Sequence, residues 1–227
     1  VQEKADTIKA AQQRPKWQFN LSELPELSCN QELVAGVDEV GRGALFGPVV
    51  AAAVILPASA FAELATAGVR DSKQLSGSRR LKLASKISAV AIDCQIGFAS
   101  ADEIDEINIL QASLRAMKRA VTKLNVQPAL CLVDGRQSIP DLAVPQMNLV
   151  RGDERSLVIA AASIVAKVWR DKLLLELATE YPVYDLTRNK GYGTAQHLLA
   201  LQQHGPSRLH RMSFSPCQKA FSRVTAK

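Results

Sequence analysis

The amino-acid sequence predicts an α/β protein, a mixed sheet with helices packed on it, and three observations carry that prediction. Two Val/Ala-rich runs of strand length, Val34–Asp38 and Val49–Leu56, follow one another across a glycine-rich turn. Later strand-like runs alternate with helical stretches. One helical stretch, Ser156–Glu180, is nearly all apolar and is expected at the centre of the molecule.

Each element has its own local warrant. Residues 1–30 read as a polar lead-in with a short helical start and a loop marked by Pro25. The strands at 34–38 and 49–56 are close enough in sequence to form an antiparallel hairpin. Ser78–Val90 has helical spacing of Leu81, Leu83 and Ile87, with Ser76 or Ser78 as its cap. Asp93–Ala99 reads as a strand. Asp102–Asn125 is helical, with Ile104, Ile107, Leu110, Leu114 and Met117 near a 3.6-residue period and a break expected near Asn108. Ala129–Val133 and Met147–Val150 are short strands, closed by Asp134-Gly135 and followed by Gly152-Asp153. The segment after Tyr181 is basic and turn-rich, then helical over Thr194–Gln203.

Composition excludes several classes. The chain has 227 residues, 47% of them apolar, enough for one domain with a real core. Its longest apolar runs, near Val49–Leu56 and Leu157–Ala166, are too short to span a bilayer, so no membrane is expected. Val1–Gln18 is polar and lacks the form of a secretory signal. Cys29, Cys94, Cys131 and Cys217 are far apart with no CxxC pair, which points to reduced thiols in a cytoplasmic protein. His197, His204 and His210 form no zinc pattern. From Tyr181 to Lys227 there are seven Lys or Arg and one acid, which accounts for the net charge of +6. A basic segment on a chain with clustered acids suggests an anionic polymer as substrate.

The chemistry-bearing stretch is VAGVDEVGRGALFGPVVAAAVILP, residues 34–57. It superficially matches a P-loop at Gly36-x4-Gly41-Arg42-Gly43. A P-loop needs Lys and then Ser or Thr, and here two acids sit inside the loop. Carboxylates repel phosphate unless a cation lies between them. Asp38 and Glu39 are neighbours, and on a regular strand they point to opposite faces. Both serve one site only if the strand ends or bulges there, and Glu39 could instead offer its main-chain carbonyl. Asp134-Gly135 is also an ordinary turn pair. Asp153 could simply cap the helix that follows. Asp171 is four residues after Lys167, the spacing of a helical ion pair. Taken together, acids at the ends of apolar strands converge on one sheet edge. Two like charges ~4 Å apart repel by about 4 kcal/mol at an effective dielectric near 20. Divalent cations relieve that repulsion, and oxygen ligands favour Mg²⁺ or Mn²⁺.

These residues resemble the ribonuclease HII family. The matching segments are GVDEVGRGALFGPVVAAAVIL, DSKQLS (Asp71–Ser76), LVDG (Leu132–Gly135) and RGD (Arg151–Asp153). IAAASIVAKVWRD (Ile159–Asp171), KGYGT (Lys190–Thr194) and HRMSF (His210–Phe214) complete the set. They stand in the family's order over residues 32–216. The resemblance implies a ribonuclease H-like mixed five-stranded sheet flanked by helices, with a small C-terminal helical lobe. It divides the chain into an N-terminal extension (1–30), a catalytic core (31–180) and a basic substrate-binding portion (181–227). It also implies a four-carboxylate site of Asp38, Glu39, Asp134 and Asp153, with Asp171 left as a structural residue.

The same resemblance implies two divalent ions and endonucleolytic cleavage of RNA in RNA–DNA hybrids. It implies cleavage 5′ to a single ribonucleotide embedded in duplex DNA as well, leaving 3′-hydroxyl and 5′-phosphate ends. That is the work of ribonucleotide removal in replication and DNA repair. Gly41, Arg42 and Gly43, with Tyr192, match the elements that sense the ribose-to-deoxyribose junction. Ser72 and Lys73 match phosphate contacts, and Thr194, His197 and Arg211 are further candidates. A cytoplasmic monomer is expected. Two other readings stay open: a non-catalytic nucleic-acid binder using the basic segment, and another nuclease of the same fold such as a junction resolvase.

Overall fold

Five strands form one mixed sheet, and the C-terminal ends of its first and fourth strands position the chemistry. The computed structural model describes residues 23–25, 33–70 and 75–225. The strands are β1 (Val34–Val40), β2 (Val49–Ile55), β3 (Asp93–Ala99), β4 (Leu130–Asp134) and β5 (Gln146–Leu149). Their order is β3-β2-β1-β4-β5. β1 and β2 form the antiparallel hairpin expected from the sequence, and β3 adds antiparallel to β2. β4 lies parallel to β1, and β5 parallel to β4.

The helices are α1 (Phe61–Ala67), α2 (Gly77–Val90), α3 (Ala101–Thr122), α4 (Leu157–Glu180), α5 (Leu186–Asn189), α6 (Ala195–His204) and α7 (Ser215–Thr225). Interior strand β2 is apolar on both sides because both of its faces are covered. Ala52 and Val54 pack with Leu64 of α1, Ile87 of α2 and Leu157, Ile159 and Ile164 of α4. Ala51, Ala53 and Ile55 pack with Ile104, Ala116 and Met117 of α3 on the opposite face. Each Val, Leu, Ile or Met side chain among them contributes roughly 1.5–3 kcal/mol when taken from water, and each Ala less. α4 reaches β1 closely because Gly36 carries no side chain: a Cβ there would stand 2.1 Å from the Val158 carbonyl carbon.

Caps define the helix starts. Ser76 accepts from the Arg79 N–H, settling the choice between two serines at the start of α2. Ser100 and Glu103 form a reciprocal capping box on α3. Asn108 interrupts α3 at φ 68°, and its side-chain oxygen accepts from the N–H groups of Leu110 and Gln111. The break expected near Asn108 is therefore a helix stopped and capped anew. Ser156 caps α4, so Asp153 does not; Asp153 belongs to the 3₁₀ turn Gly152–Glu154.

A third apolar cluster joins Leu45 and Phe46, in the turn after β1, to Leu174 of α4 and to Tyr184, Leu186, Leu201 and Cys217. It fastens the segment after Tyr181 to the turn that carries Gly41–Gly43. α1, α5 and α7 are not among the helices read from the sequence. Among the described residues no helix is long and apolar enough to cross a membrane. Cys94, Cys131 and Cys217 are free thiols that burial pushes up, to about 11, 12 and 11 respectively.

Candidate active site

β1 is paired with β2 as far as Val40↔Val50, but with β4 only as far as Val37↔Val133. Beyond Val37 the β4 side of β1 opens into a notch, and Asp38 and Glu39 stand in it. The strand does not end or bulge at these residues, contrary to the condition set from sequence. It runs regularly to Val40. The two side chains leave opposite faces, yet they do so where the neighbouring strand has stopped. Their oxygens can therefore both turn toward Asp134, the last residue of β4. One carboxylate oxygen from each of Asp38, Glu39 and Asp134 lies within 4.8 Å of the others.

Local contacts hold each acid in place. Asp38 is 5% exposed; its Oδ1 accepts the Glu39 N–H at 2.7 Å, and Ser163 of α4 hydrogen-bonds it. Arg42 Nη1 donates to Glu39 Oε1 at 3.0 Å. The Gly152 N–H donates to Asp134 Oδ1 at 2.6 Å, tying the turn before α4 to the end of β4. Asp153 is 6% exposed and stands beside this group, near enough for its charge to act on Asp38. It lies outside the 4.8 Å set formed by the other three.

The electrostatics are those of a site built for a cation. Burial pushes the Asp38 carboxyl well above its usual range, and the charges of Glu39, Asp134 and Asp153 push it further, against the Ser163 hydrogen bond. Burial also raises Glu39, with the hydrogen bond and charge of Arg42 opposing. Glu39 Oε2 is buried with no hydrogen-bond partner. An orphaned carboxylate oxygen among crowded like charges costs free energy that a hard divalent ion would recover. The all-oxygen donor set fits Mg²⁺ or Mn²⁺ rather than a softer metal.

The acids open into a cleft of about 270 Å³ that also contains Gly41, Arg42, Gly43, Lys167 and Tyr192. Residues far apart in sequence thus meet the acids in one cavity. Gly41 is required twice over. Its φ is +89°, and a Cβ there would lie 2.3 Å from Arg170 Nε. A Cβ at Gly43 would meet nothing within 4 Å, so its backbone is open to a ligand. Tyr192 pairs with Ala44 in an isolated bridge, and its ring has Lys167 Nζ and the Arg170 guanidinium each 5.6 Å from its centroid.

Other candidates fall elsewhere. Ser72 and Lys73 lie outside the described residues. His197 and Arg211 are wholly buried, so they are corrected from phosphate contacts to interior groups. The Thr194 hydroxyl accepts the His197 N–H as the cap of α6. Asp171 pairs with Lys167 at 2.6 Å, as its spacing predicts. Sequence reasoning missed Ser163 and Lys167 as part of the cleft. Both project from α4 one turn apart, and a polar residue inside an otherwise apolar helix was the signal available.

Comparisons with known proteins converge on one family. The Ribonuclease HII family model matches residues 35–217. Ribonuclease HII of Nostoc sp. (strain PCC 7120) is 66% identical over 198 residues, covering 87% of this chain and 88% of that protein. The crystal structure of the ribonuclease H2 from Pyrococcus horikoshii OT3 superposes with a TM-score of 0.72 at 26% identity. It covers 86% of this chain and all of the other. Bst-RNase HIII in complex with Mn²⁺ also has a TM-score of 0.72, covering 86% of this chain and 71% of that one. At 19% identity that last likeness shows the fold alone.

Proposed function

The chain belongs to the ribonuclease HII family, and on that footing we propose that it cleaves RNA in RNA–DNA hybrids and cuts 5′ to single ribonucleotides embedded in duplex DNA. It is a metal-dependent endoribonuclease. The observation that supports this reading best is the meeting of Asp38, Glu39 and Asp134 oxygens within 4.8 Å, in the cleft that also holds Gly41–Gly43 and Tyr192.

Asp38, Glu39 and Asp134 would hold the metal, with Asp153 as the fourth carboxylate beside them. The chemistry supplied by two bound divalent ions, Mg²⁺ or Mn²⁺, is activation of water and stabilisation of the leaving 3′-oxygen. The protein's own residues do the positioning. Gly41 and Gly43 let main-chain groups approach the ribose, whose 2′-hydroxyl separates RNA from DNA. Arg42 is half exposed and already bound to Glu39, so it can turn its remaining donors to a phosphate. Tyr192, in the same cleft, is assigned with Gly41 and Gly43 to the ribose-to-deoxyribose junction. Ser72 and Lys73 are assigned to the phosphate backbone, and the basic segment 181–227 to the duplex beyond. Cleavage leaves 3′-hydroxyl and 5′-phosphate ends, as ribonucleotide removal requires. This reading takes the protein as a cytoplasmic monomer.

The test is a duplex with one embedded ribonucleotide, incubated with Mg²⁺ or Mn²⁺, and the products sized. A single cut 5′ to the ribonucleotide is expected. An uncut duplex, alongside an uncut RNA–DNA hybrid, would refute the proposal.

A further inference from the structure

Behind Tyr192 lies a buried pair of imidazoles that the cleavage chemistry does not use. His197 on α6 is 0% exposed and His210, ahead of α7, is 2% exposed. Their Nε2 atoms are 3.1 Å apart. At one end of the pair, His210 Nδ1 accepts the Ser207 N–H at 2.9 Å. At the other end, His197 Nδ1 lies 3.0 Å from the Tyr192 carbonyl oxygen, which also accepts the Thr194 N–H at 2.8 Å.

The two ends fix the protons between them. A main-chain N–H can only donate, so His210 Nδ1 is bare and its proton sits on Nε2. That Nε2–H donates to His197 Nε2. The proton of neutral His197 is therefore on Nδ1, where it donates to a carbonyl that can only accept. Burial keeps both rings neutral, holding His197 low and His210 down at about 3. An extra proton on either ring would set two N–H groups face to face. Phe46 and Tyr184 meet the His210 ring edge-on, with centroids 4.9 and 4.6 Å away, and fix its plane.

We propose that the directional row Ser207–His210–His197 is a positioning device for Tyr192: by pinning its main-chain carbonyl, the two histidines set the preference for a single embedded ribonucleotide over a uniform hybrid without touching substrate. The inference rests on the role of Tyr192 proposed above. It goes further by assigning specificity to residues 13 apart in sequence that are both sealed from solvent.

Two substitutions at one position separate the donor from mere space-filling. Asn places an amide nitrogen near the Nδ1 position, and Gln places one near Nε2. His197→Gln therefore loses the bond to the Tyr192 carbonyl, whereas His197→Asn keeps it. The readout is kcat/KM on a one-ribonucleotide duplex divided by kcat/KM on a uniform hybrid. His197→Gln should lower that ratio roughly tenfold, the worth of about one buried hydrogen bond, and His197→Asn, which keeps that bond but gives up the contact with His210, should lower it by no more than about threefold. Ring-nitrogen NMR on the unmodified protein should find His210 protonated only at Nε2 and His197 only at Nδ1. Opposite tautomers, or a ratio that His197→Gln leaves unmoved, would overturn the positioning role while cleavage itself stands. An unmodified protein that cuts neither substrate overturns the proposed function, and this role with it.

Discussion

Two groups of buried charge flank the turn that follows β1, and they are resolved in opposite ways. On one side, Asp38, Glu39 and Asp134 crowd together with Glu39 Oε2 unpartnered. On the other, Arg170 and Arg211 are both fully buried, and among the described residues neither forms an ion pair with a carboxylate. Arg170 donates to the carbonyls of Pro48, Lys190 and Phe46 at 3.0, 2.8 and 2.9 Å. Arg211 donates to the carbonyls of Gly47 and Arg42 at 3.0 and 2.8 Å, and its guanidinium lies 5.3 Å from the Phe214 ring centroid. Burial pulls both guanidiniums down, Arg211 to about 9. The basic group is answered largely from within by main-chain carbonyls of the two loops it joins, with Arg211 Nη2 alone of its donors left without a hydrogen-bond partner. The acidic group waits for a cation from outside. The first is scaffold and the second is a binding site, although both consist of buried charge.

The largest effect that could break this contrast is on the acidic side. Asp38→Asn or Asp134→Asn should lower cleavage by roughly a thousandfold or more, since a metal ligand is lost. In the metal-free protein, Asp38→Asn should raise stability by about 1 kcal/mol, because it removes a repelled charge from a functional site. Cleavage assays and thermal unfolding in chelator measure the two. A destabilised Asp38→Asn protein would mean that the acids are satisfied without metal.

On the basic side the sign reverses. Arg170→Met leaves three carbonyls without their donor and should cost about 3–5 kcal/mol in urea unfolding, as expected for buried acceptors left unsatisfied. A cost below about 1 kcal/mol would remove Arg170 from the scaffold. The glycines sharpen the contrast at smaller amplitude. Gly41→Ala meets both a positive φ and the Arg170 side chain, so a loss of about 1–3 kcal/mol is expected. Gly43→Ala has open space around it and should fold within about 0.5 kcal/mol of the parent, while lowering cleavage at single ribonucleotides.

The histidine pair adds a gradual effect with pH. Burial lowers both imidazoles in the folded protein, His210 to about 3, whereas the unfolded chain titrates near 6.5. The unfolded state thus binds more protons below that value. This contribution is complete above pH ~6.5 and is lost as pH falls, by up to about 1.4 kcal/mol per pH unit for each ring. Urea midpoints measured between pH 7 and 5 should decline; a flat series would contradict the neutral pair.

Much of this was legible in the sequence. Asp38, Glu39 and Asp134 announced themselves as acids closing apolar runs, and Asn108 announced a break in a helical period. How Asp38 and Glu39 could share a site was not legible. The answer depends on where β4 stops alongside β1, a property of register that no single segment carries. Arg170, His197 and Arg211 were misjudged or passed over for a related reason. Charged and polar residues default to the surface, and only tertiary packing places Arg170 beneath Gly41 or His197 behind Tyr192. Ser163 and Lys167 were hidden in a helix whose apolar neighbours dominated its pattern.

Cleavage depends most directly on added metal. Strip the protein with chelator and offer it a duplex with one embedded ribonucleotide: no cutting is expected until Mg²⁺ or Mn²⁺ is restored. Undiminished cutting in the continued presence of chelator would contradict the central claim.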